Sequence, residues 1–297
     1  MEAGMEEWLE QVWFIPAETK PNSVGIIISC GIHGNETGPI VACNALLDLV
    51  RSKQLTPAVS LLLIFGNPQA INANQRYLDF NLNRLFGNSV AGGIEAHRAR
   101  QLEQACHRLQ QQCGGIRWHL DLHSTIKPSR IERFALTPVT RAEYQLQWQP
   151  LLYAGGFLGL VRQTRRANTF SQYTHDHFGT DSFTLECGSL QQRTNQGDNA
   201  LLQWLVAMVT EPSALASAHQ DATLQEFRVA EDIIRHSDQF QFIIDEQEPN
   251  FSPHPKGSLI YSDRDGPFYT SDQRYSLFLN SGVEVGQRAG LLLERIQ

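Results

Sequence analysis

The chain has 297 residues, of which 41% are hydrophobic and 19% charged, and a formal net charge of −7. That is long enough for one large domain or two moderate ones with a sizeable core, and the balance is that of a globular protein. Acidic and basic residues are interspersed, so there is no basic stripe to neutralise phosphates, which excludes nucleic acid as a partner.

In chain order, the acidic opening Met1-Glu2-Ala3-Gly4-Met5-Glu6-Glu7 lacks the basic-then-apolar order of a signal peptide. Residues 24–30 are a continuous apolar run rich in β-branched side chains and stopped by Gly31, which predicts a buried strand. Residues 37–52 carry Ile40, Ala42, Leu46, Leu47 and Val50 at helical spacing. Residues 59–65 predict a second buried strand, closed by Gly66-Asn67-Pro68. An amphipathic helix is expected over 94–112, strands over 116–122 and 182–187, and a helix over 197–210. Alternating strands and helices argue for an α/β sheet covered on both faces. Arg162, Arg165 and Arg166 are expected on a solvated loop.

The character changes after a polar stretch ending near Ala222. From Gln225 onward the segments are short, β-rich and punctuated by Pro253, Pro255, Gly257, Gly266, Pro267 and Gly282. The expected division is a hydrolase region over 1–213 and a small β domain over 222–297. The apolar runs at 59–65 and 201–209 are too short to cross a bilayer, so no membrane partner is expected. Five cysteines without paired spacing suit reduced thiols and a cytoplasmic location.

The strongest chemical signal is His33-Gly34-Asn35-Glu36, directly after a predicted strand. Sites in open α/β sheets collect at the carboxyl ends of strands. A His and a Glu three apart on a glycine-containing turn can face one metal ion, and His123 of Asp121-Leu122-His123 can reach the same edge. Two His and one Glu leave a fourth position open, the arrangement of a hydrolytic zinc. Asp121 can hydrogen-bond a ligand from behind. Arg76 and Arg84 bracket a loop with Asn83 beside the second, and such forks hold carboxylates. Glu186 sits among apolar strand residues, where a carboxylate is costly unless paired or working; it is expected to be a general base or a structural acid. His97, His107, His119, His175, His177, His219, His236 and His254 lack a convergent pattern and are read as structural or solvated.

Several strings carry a resemblance: Gly31-Ile32-His33-Gly34-Asn35-Glu36-Thr37, Gly66-Asn67-Pro68, residues 79–86, Trp118-His119-Leu120-Asp121-Leu122-His123 and residues 288–296. Together they resemble the succinylglutamate desuccinylase and aspartoacylase family of the zinc carboxypeptidase superfamily, nearest its desuccinylase branch, from about residue 24 to the end. The resemblance implies a mixed α/β sheet flanked by helices with a small C-terminal β domain. It implies one zinc ion per chain on His33, Glu36 and His123, and Glu186 as the catalytic glutamate. It also implies that Arg76 polarises the scissile carbonyl and that Asn83 and Arg84 clasp a substrate carboxylate. The implied reaction is hydrolysis of N2-succinylglutamate to succinate and glutamate, the last step of the succinyl route of arginine degradation. The implied partner is thus a small anionic N-acyl amino acid, and a homo-oligomer is compatible with the sequence.

The chain departs from the family pattern in three places. Only 23 residues precede the first family-like strand, so an N-terminal segment is expected to be missing or replaced. The familiar Asp-Leu-His-Thr-Ala-Ile stands as Asp121-Leu122-His123-Ser124-Thr125-Ile126, and Gly-Thr-Phe as Asn168-Thr169-Phe170. These leave acyl specificity open between desuccinylase, aspartoacylase-like deacylase and peptide carboxypeptidase. A non-catalytic binder of succinylglutamate is a further class, against which Glu186 beside a full ligand set argues.

Overall fold

Successive side chains on a strand point to opposite faces, and Ile26, Ile27 and Ile28 are all fully buried. A strand dry on both sides needs helices on both sides. The structure, a computed structural model, meets that need and describes residues 4–17, 23–88, 92–140, 148–189 and 195–296. Met1-Glu2-Ala3 and Gln297 lie outside the described residues.

The first half runs β1 (Glu6–Leu9), β2 (Val12–Ile15), β3 (Gly25–Cys30), α1 (Thr37–Arg51), β4 (Ser60–Phe65), α2 (Pro68–Ala73), a single 3₁₀ turn at Leu82–Arg84, α3 (Ile94–Gln112) and β5 (Ile116–Thr125). It continues through β6 (Phe134–Thr137), α4 (Gln149–Ala154), β7 (Gly159–Arg162), α5 (Phe170–Phe178), β8 (Asp181–Ser189), α6 (Asn195–Thr210) and α7 (Pro212–Ala218). The remainder is β9 (Gln225–Ile234), β10 (Gln241–Phe242), β11 (Ser252–His254), β12 (Leu259–Asp263), β13 (Gly266–Tyr269), β14 (Arg274–Leu277) and β15 (Arg288–Arg295).

Twelve strands make one mixed sheet in the order β1-β2-β4-β3-β5-β8-β6-β7-β9-β15-β14-β11, and β10, β12 and β13 make a second. The centre is parallel: β3 pairs with β4 and β5, and β5 with β8. Ile26, Ile28, Leu120 and Leu122 pack with Leu46 and Leu47 of α1 and Leu205 and Met208 of α6. Ile27 faces the opposite way, with Leu102 and Leu109 of α3 and Phe170 and Tyr173 of α5. Each such side chain contributes about 1.5–3 kcal/mol on burial, so these two layers dominate the stability of the sheet.

The α/β expectation with its β-rich C-terminal part is met, with several differences. An N-terminal hairpin, β1–β2, extends the sheet by pairing β2 with β4. Strand β5 runs past residue 122 to Thr125, so His123 lies within it. Helix α5 went unread, although Thr169 caps its first turn by accepting the Gln172 N–H and Gly179 closes it at φ +65°. Arg162 is not on a loop; it ends β7 and pairs with the buried Glu226. All five cysteines are free thiols. Among the described residues no helix is long and apolar enough to cross a membrane.

Candidate metal and hydrolytic site

The turn after β3 is shaped by glycine. Gly31 has φ +64°, and a Cβ on Gly34 would fall 2.1 Å from the backbone carbon of Ala70 in α2. The turn therefore lies flat against α2, with Gly34 N–H donating to the Arg76 carbonyl at 3.2 Å. His33 and Glu36 are thereby brought together, His33 Nδ1 lying 2.8 Å from Glu36 Oε1. From the neighbouring strand, His123 Nδ1 lies 2.9 Å from Glu36 Oε2, which also accepts the Ser124 N–H at 3.1 Å. One ligand atom from each of His33, Glu36 and His123 lies within 4.8 Å of the others, and all three residues are buried.

The far sides of the two imidazoles are held as metal ligands need. His33 Nε2 is 3.0 Å from Asn81 Oδ1, and His123 Nε2 is 3.1 Å from Asp121 Oδ2. Donation of each Nε2–H to an oxygen leaves Nδ1 as the nitrogen turned to the Glu36 carboxylate, and so the one available to a metal. Two imidazoles and one carboxylate, buried and convergent, fit a divalent zinc ion with a position left open, the ion taking the place of any Nδ1 proton.

The electrostatics separate the acids. Burial would raise the Glu36 carboxyl, but His33 and His123 hold it well below its ordinary range. Burial opposes charge on His123, yet Asp121 and Glu36 hold its imidazole well above the ordinary value. Glu186 behaves differently. It pairs in register with His123 across β5 and β8, its Oε2 is buried with no hydrogen-bond partner among the described residues, and burial pushes its pKa to about 7. An acid poised there is suited to exchange protons near neutrality.

The anionic-substrate candidates line one loop. Arg76 donates to Glu36 Oε1 at 3.0 Å. Asn83 is buried; its Oδ1 accepts the Phe170 N–H at 2.9 Å, and its Nδ2 stands 3.4 Å from His123 Nε2. Arg84 donates to the Asn83 carbonyl at 2.7 Å and, among the described residues, pairs with no carboxylate. It is solvent-accessible, yet surrounding protein, then Arg288 and Arg76, lower its pKa to about 10. Arg165 and Arg166 are exposed, and Arg166 pairs with Asp176.

One organising residue escaped the sequence reading. Glu95, fully buried in the first turn of α3, accepts the N–H groups of Leu78 at 2.6 Å and of Asp79 and Phe80 at 3.2 Å. It also accepts Asn67 Nδ2 at 3.3 Å. Burial would raise its pKa, but these donors hold it below the ordinary value. Glu95 thus pins the loop that carries Arg76, Asn81, Asn83 and Arg84. The sequence signal, an acid in a helix's first turn, is shared by many surface residues.

Residues 23–213 match the model of the succinylglutamate desuccinylase/aspartoacylase catalytic domain, and residues 222–296 match that of the AstE/AspA barrel-sandwich hybrid domain. The chain is 34% identical over 288 residues to a succinylglutamate desuccinylase of Pseudomonas putida (strain GB-1), covering 94% of this chain and 85% of that protein. It is 35% identical over 280 residues to one from Serratia proteamaculans (strain 568), covering 90% and 84%. A crystal structure of the succinylglutamate desuccinylase of Chromobacterium violaceum superposes with a TM-score of 0.85 at 27% identity, covering 99% of this chain and 91% of the other. Murine aminoacylase 3 shares the fold at 17% identity, with a TM-score of 0.65 over 94% of this chain and 97% of its own.

Proposed function

The chain belongs to the succinylglutamate desuccinylase/aspartoacylase family, and from that premise we propose that it is a zinc-dependent hydrolase cleaving N2-succinylglutamate to succinate and glutamate. The observation that carries the reading is a buried His33-Glu36-His123 cluster with Glu186, whose Oε2 has no hydrogen-bond partner among the described residues, in register with one of its members. Relatives named for this reaction, at about one third identity over most of both chains, support the substrate. The same reading assigns 1–213 to the hydrolase region and 222–297 to a small β-rich region, and the spans of the two matching family models support that division. All five cysteines being free thiols is compatible with a cytoplasmic setting.

When bound, a zinc ion on His33, Glu36 and His123 supplies the Lewis acidity that polarises the amide carbonyl and acidifies water. Glu186 Oε2 takes a proton from the attacking water and passes it to the departing glutamate nitrogen as the C–N bond breaks. Arg76 donates to the carbonyl oxygen as charge grows on it, a contact worth a few kcal/mol per donor (~3) in comparable sites. Asn83 and Arg84 hold a substrate carboxylate in register, and only an arginine offers that fork.

Release of the free amino acid from N2-succinylglutamate, N-acetylaspartate and N-acetylglutamate, before and after chelation, tests the reading. The expected result is preference for the succinyl substrate, loss of turnover on chelation and recovery with zinc. His33→Ala is expected to lose bound zinc. Equal turnover of N-acetylaspartate would move the chain to the aspartoacylase branch, and turnover indifferent to chelation would remove the metal from the reaction.

A further inference from the structure

His119, read from the sequence as structural or solvated, stands in the middle of a chain of buried hydrogen bonds that ends on His123. Strand alternation puts residues 119, 121 and 123 of β5 on one face, the face covered by α5. Ser29 of β3 lies opposite Asp121 in register and joins the same face. Ser182 Oγ is 2.9 Å from Thr174 Oγ1, which is 2.8 Å from His119 Nδ1. His119 Nε2 is 2.8 Å from Ser29 Oγ, which is 2.6 Å from Asp121 Oδ1. Asp121 Oδ2 is 3.1 Å from His123 Nε2. Ser29, His119, Asp121, Thr174 and Ser182 are fully buried.

Counting protons fixes the direction of this chain. Ser29 has one hydroxyl proton, and an ionised Asp121 can only accept, so that proton goes to Oδ1. The Ser29 oxygen must then accept from His119 Nε2–H. Burial lowers the His119 pKa to about 4, so the ring is neutral and carries that single proton. Its Nδ1 can therefore only accept, and the Thr174 hydroxyl at 2.8 Å is its donor in preference to the longer contacts of that hydroxyl with the Phe170 and Ser171 carbonyls at 3.2 Å. At the other end, Asp121 Oδ2 accepts the His123 Nε2–H, which leaves Nδ1 as the nitrogen directed at Glu36 and the metal position. Asn83 Nδ2, 3.4 Å from the same Nε2, is a donor facing a donor and so a packing contact. The His119 ring is held edge-on by Phe170, with centroids 4.5 Å apart at 73°.

We propose that His119 is a positioning residue: through the Ser29 hydroxyl it locks the Asp121 carboxylate, and with it the Nε2–H tautomer and ring orientation of His123. The proposal rests on His123 being a zinc ligand. A polar ring is a poor filler between the central strands and α5 unless its nitrogens are bonded, as the His119 nitrogens are to Ser29 and Thr174, and a bonded buried chain rigidifies what it holds. Rotation of Asp121 away from His123 would need the Ser29 proton to lose its acceptor in a dry site. His119 resists that rotation by holding the Ser29 oxygen from the other side.

The test is zinc affinity, measured by chelator competition on the purified full chain, together with kcat and KM at saturating zinc. Asn cannot reach the position of the His Nε2, whereas the Gln amide can place a donor there. His119→Asn and Ser29→Ala are expected to weaken zinc binding about 10-fold, within the range for outer-shell partners, with KM little changed. His119→Gln is expected to restore most of the affinity. The double variant is expected to be no weaker than His119→Asn alone, because both break the same chain. Thermal unfolding of the metal-free proteins checks the fold, and Ser29→Ala, which removes one atom, keeps the test open should His119→Asn not fold. Wild-type affinity in Ser29→Ala, or equal loss in His119→Gln and His119→Asn, overturns the proposal. His123→Ala separates the two levels. If it keeps wild-type affinity, the ligand assignment falls and the proposal with it; if it loses zinc while Ser29→Ala does not, the ligands stand and only the chain is wrong.

Discussion

Among the buried acids around the site, Glu36, Glu95 and Asp121 lie below their ordinary pKa because imidazoles, hydroxyls or backbone N–H groups face them. Glu186 has an oxygen facing none of these, and burial lifts its pKa to about 7. A general base works in its ionised form, so activity should rise with pH through the Glu186 pKa and fall below it. A bound dication draws that pKa downward, which puts the acid limb of kcat/KM at or below about 7. Glu186→Gln, nearly isosteric but unable to take the proton, should retain zinc and lose about 10²–10⁴-fold in kcat. It should also lose the acid limb. A pH–rate profile of the variant with the same limb and near-normal kcat would place the base on another residue.

At the scale of elements, α3 does more than cover the sheet, because its first turn carries Glu95 into the loop that presents Arg76, Asn83 and Arg84. Glu95→Gln should leave zinc content unchanged, raise KM through a loosened loop, and cost about 2 kcal/mol as charge-assisted bonds are lost. The folded-state pKa of Glu95 is depressed. Its contribution is therefore fully present above the unfolded value of about 4.3 and is lost as pH falls through the folded pKa. The Tm gap between wild type and variant should be full at pH 7 and close in acid; a gap that persists unchanged in acid would mean the charge is irrelevant. Legibility divides along the same line. Residues 24–30 and the His33–Glu36 spacing were readable because their signals are local: an unbroken apolar run, and two ligands three apart on a glycine turn. Glu95 was not, because its partners exist only once the 78–80 loop folds over the helix. His119 was invisible for the same reason, its partners Ser29 and Thr174 lying 90 and 55 positions away. Helix α5 was missed although both of its caps stand in the sequence, its polar inward side chains having masked the period.

For the whole molecule, the C-terminal part is not an appendage beside the sheet but part of it. Strand β9 pairs in parallel with β7 and antiparallel with β15, continuing the order of the main sheet. Ile131, Phe134, Leu136 and Val161 share one buried cluster with Phe227, Val229, Phe251, Leu277, Leu291 and Leu293. Lys127, four positions after His123, donates to the carbonyls of Glu246 and Leu279, and Asn250 N–H donates to the Pro128 carbonyl at 2.9 Å. A chain ending at Ala222 would strip this cover. Exposing the four residues of the first part removes about 6–12 kcal/mol, taking about 1.5–3 for each, against a typical domain stability of about 5–15 kcal/mol. The boundary between the two matched family regions should therefore be a boundary of sequence and not of folding. The truncated chain is expected to melt without a cooperative transition, to bind a hydrophobic dye and to hold zinc far more weakly than the full chain, since the segment after His123 loses its anchor. Calorimetry and chelator competition on the two chains decide it: a cooperative melt with full-length zinc affinity would make residues 1–222 an independent domain and leave the shared cluster without energetic consequence.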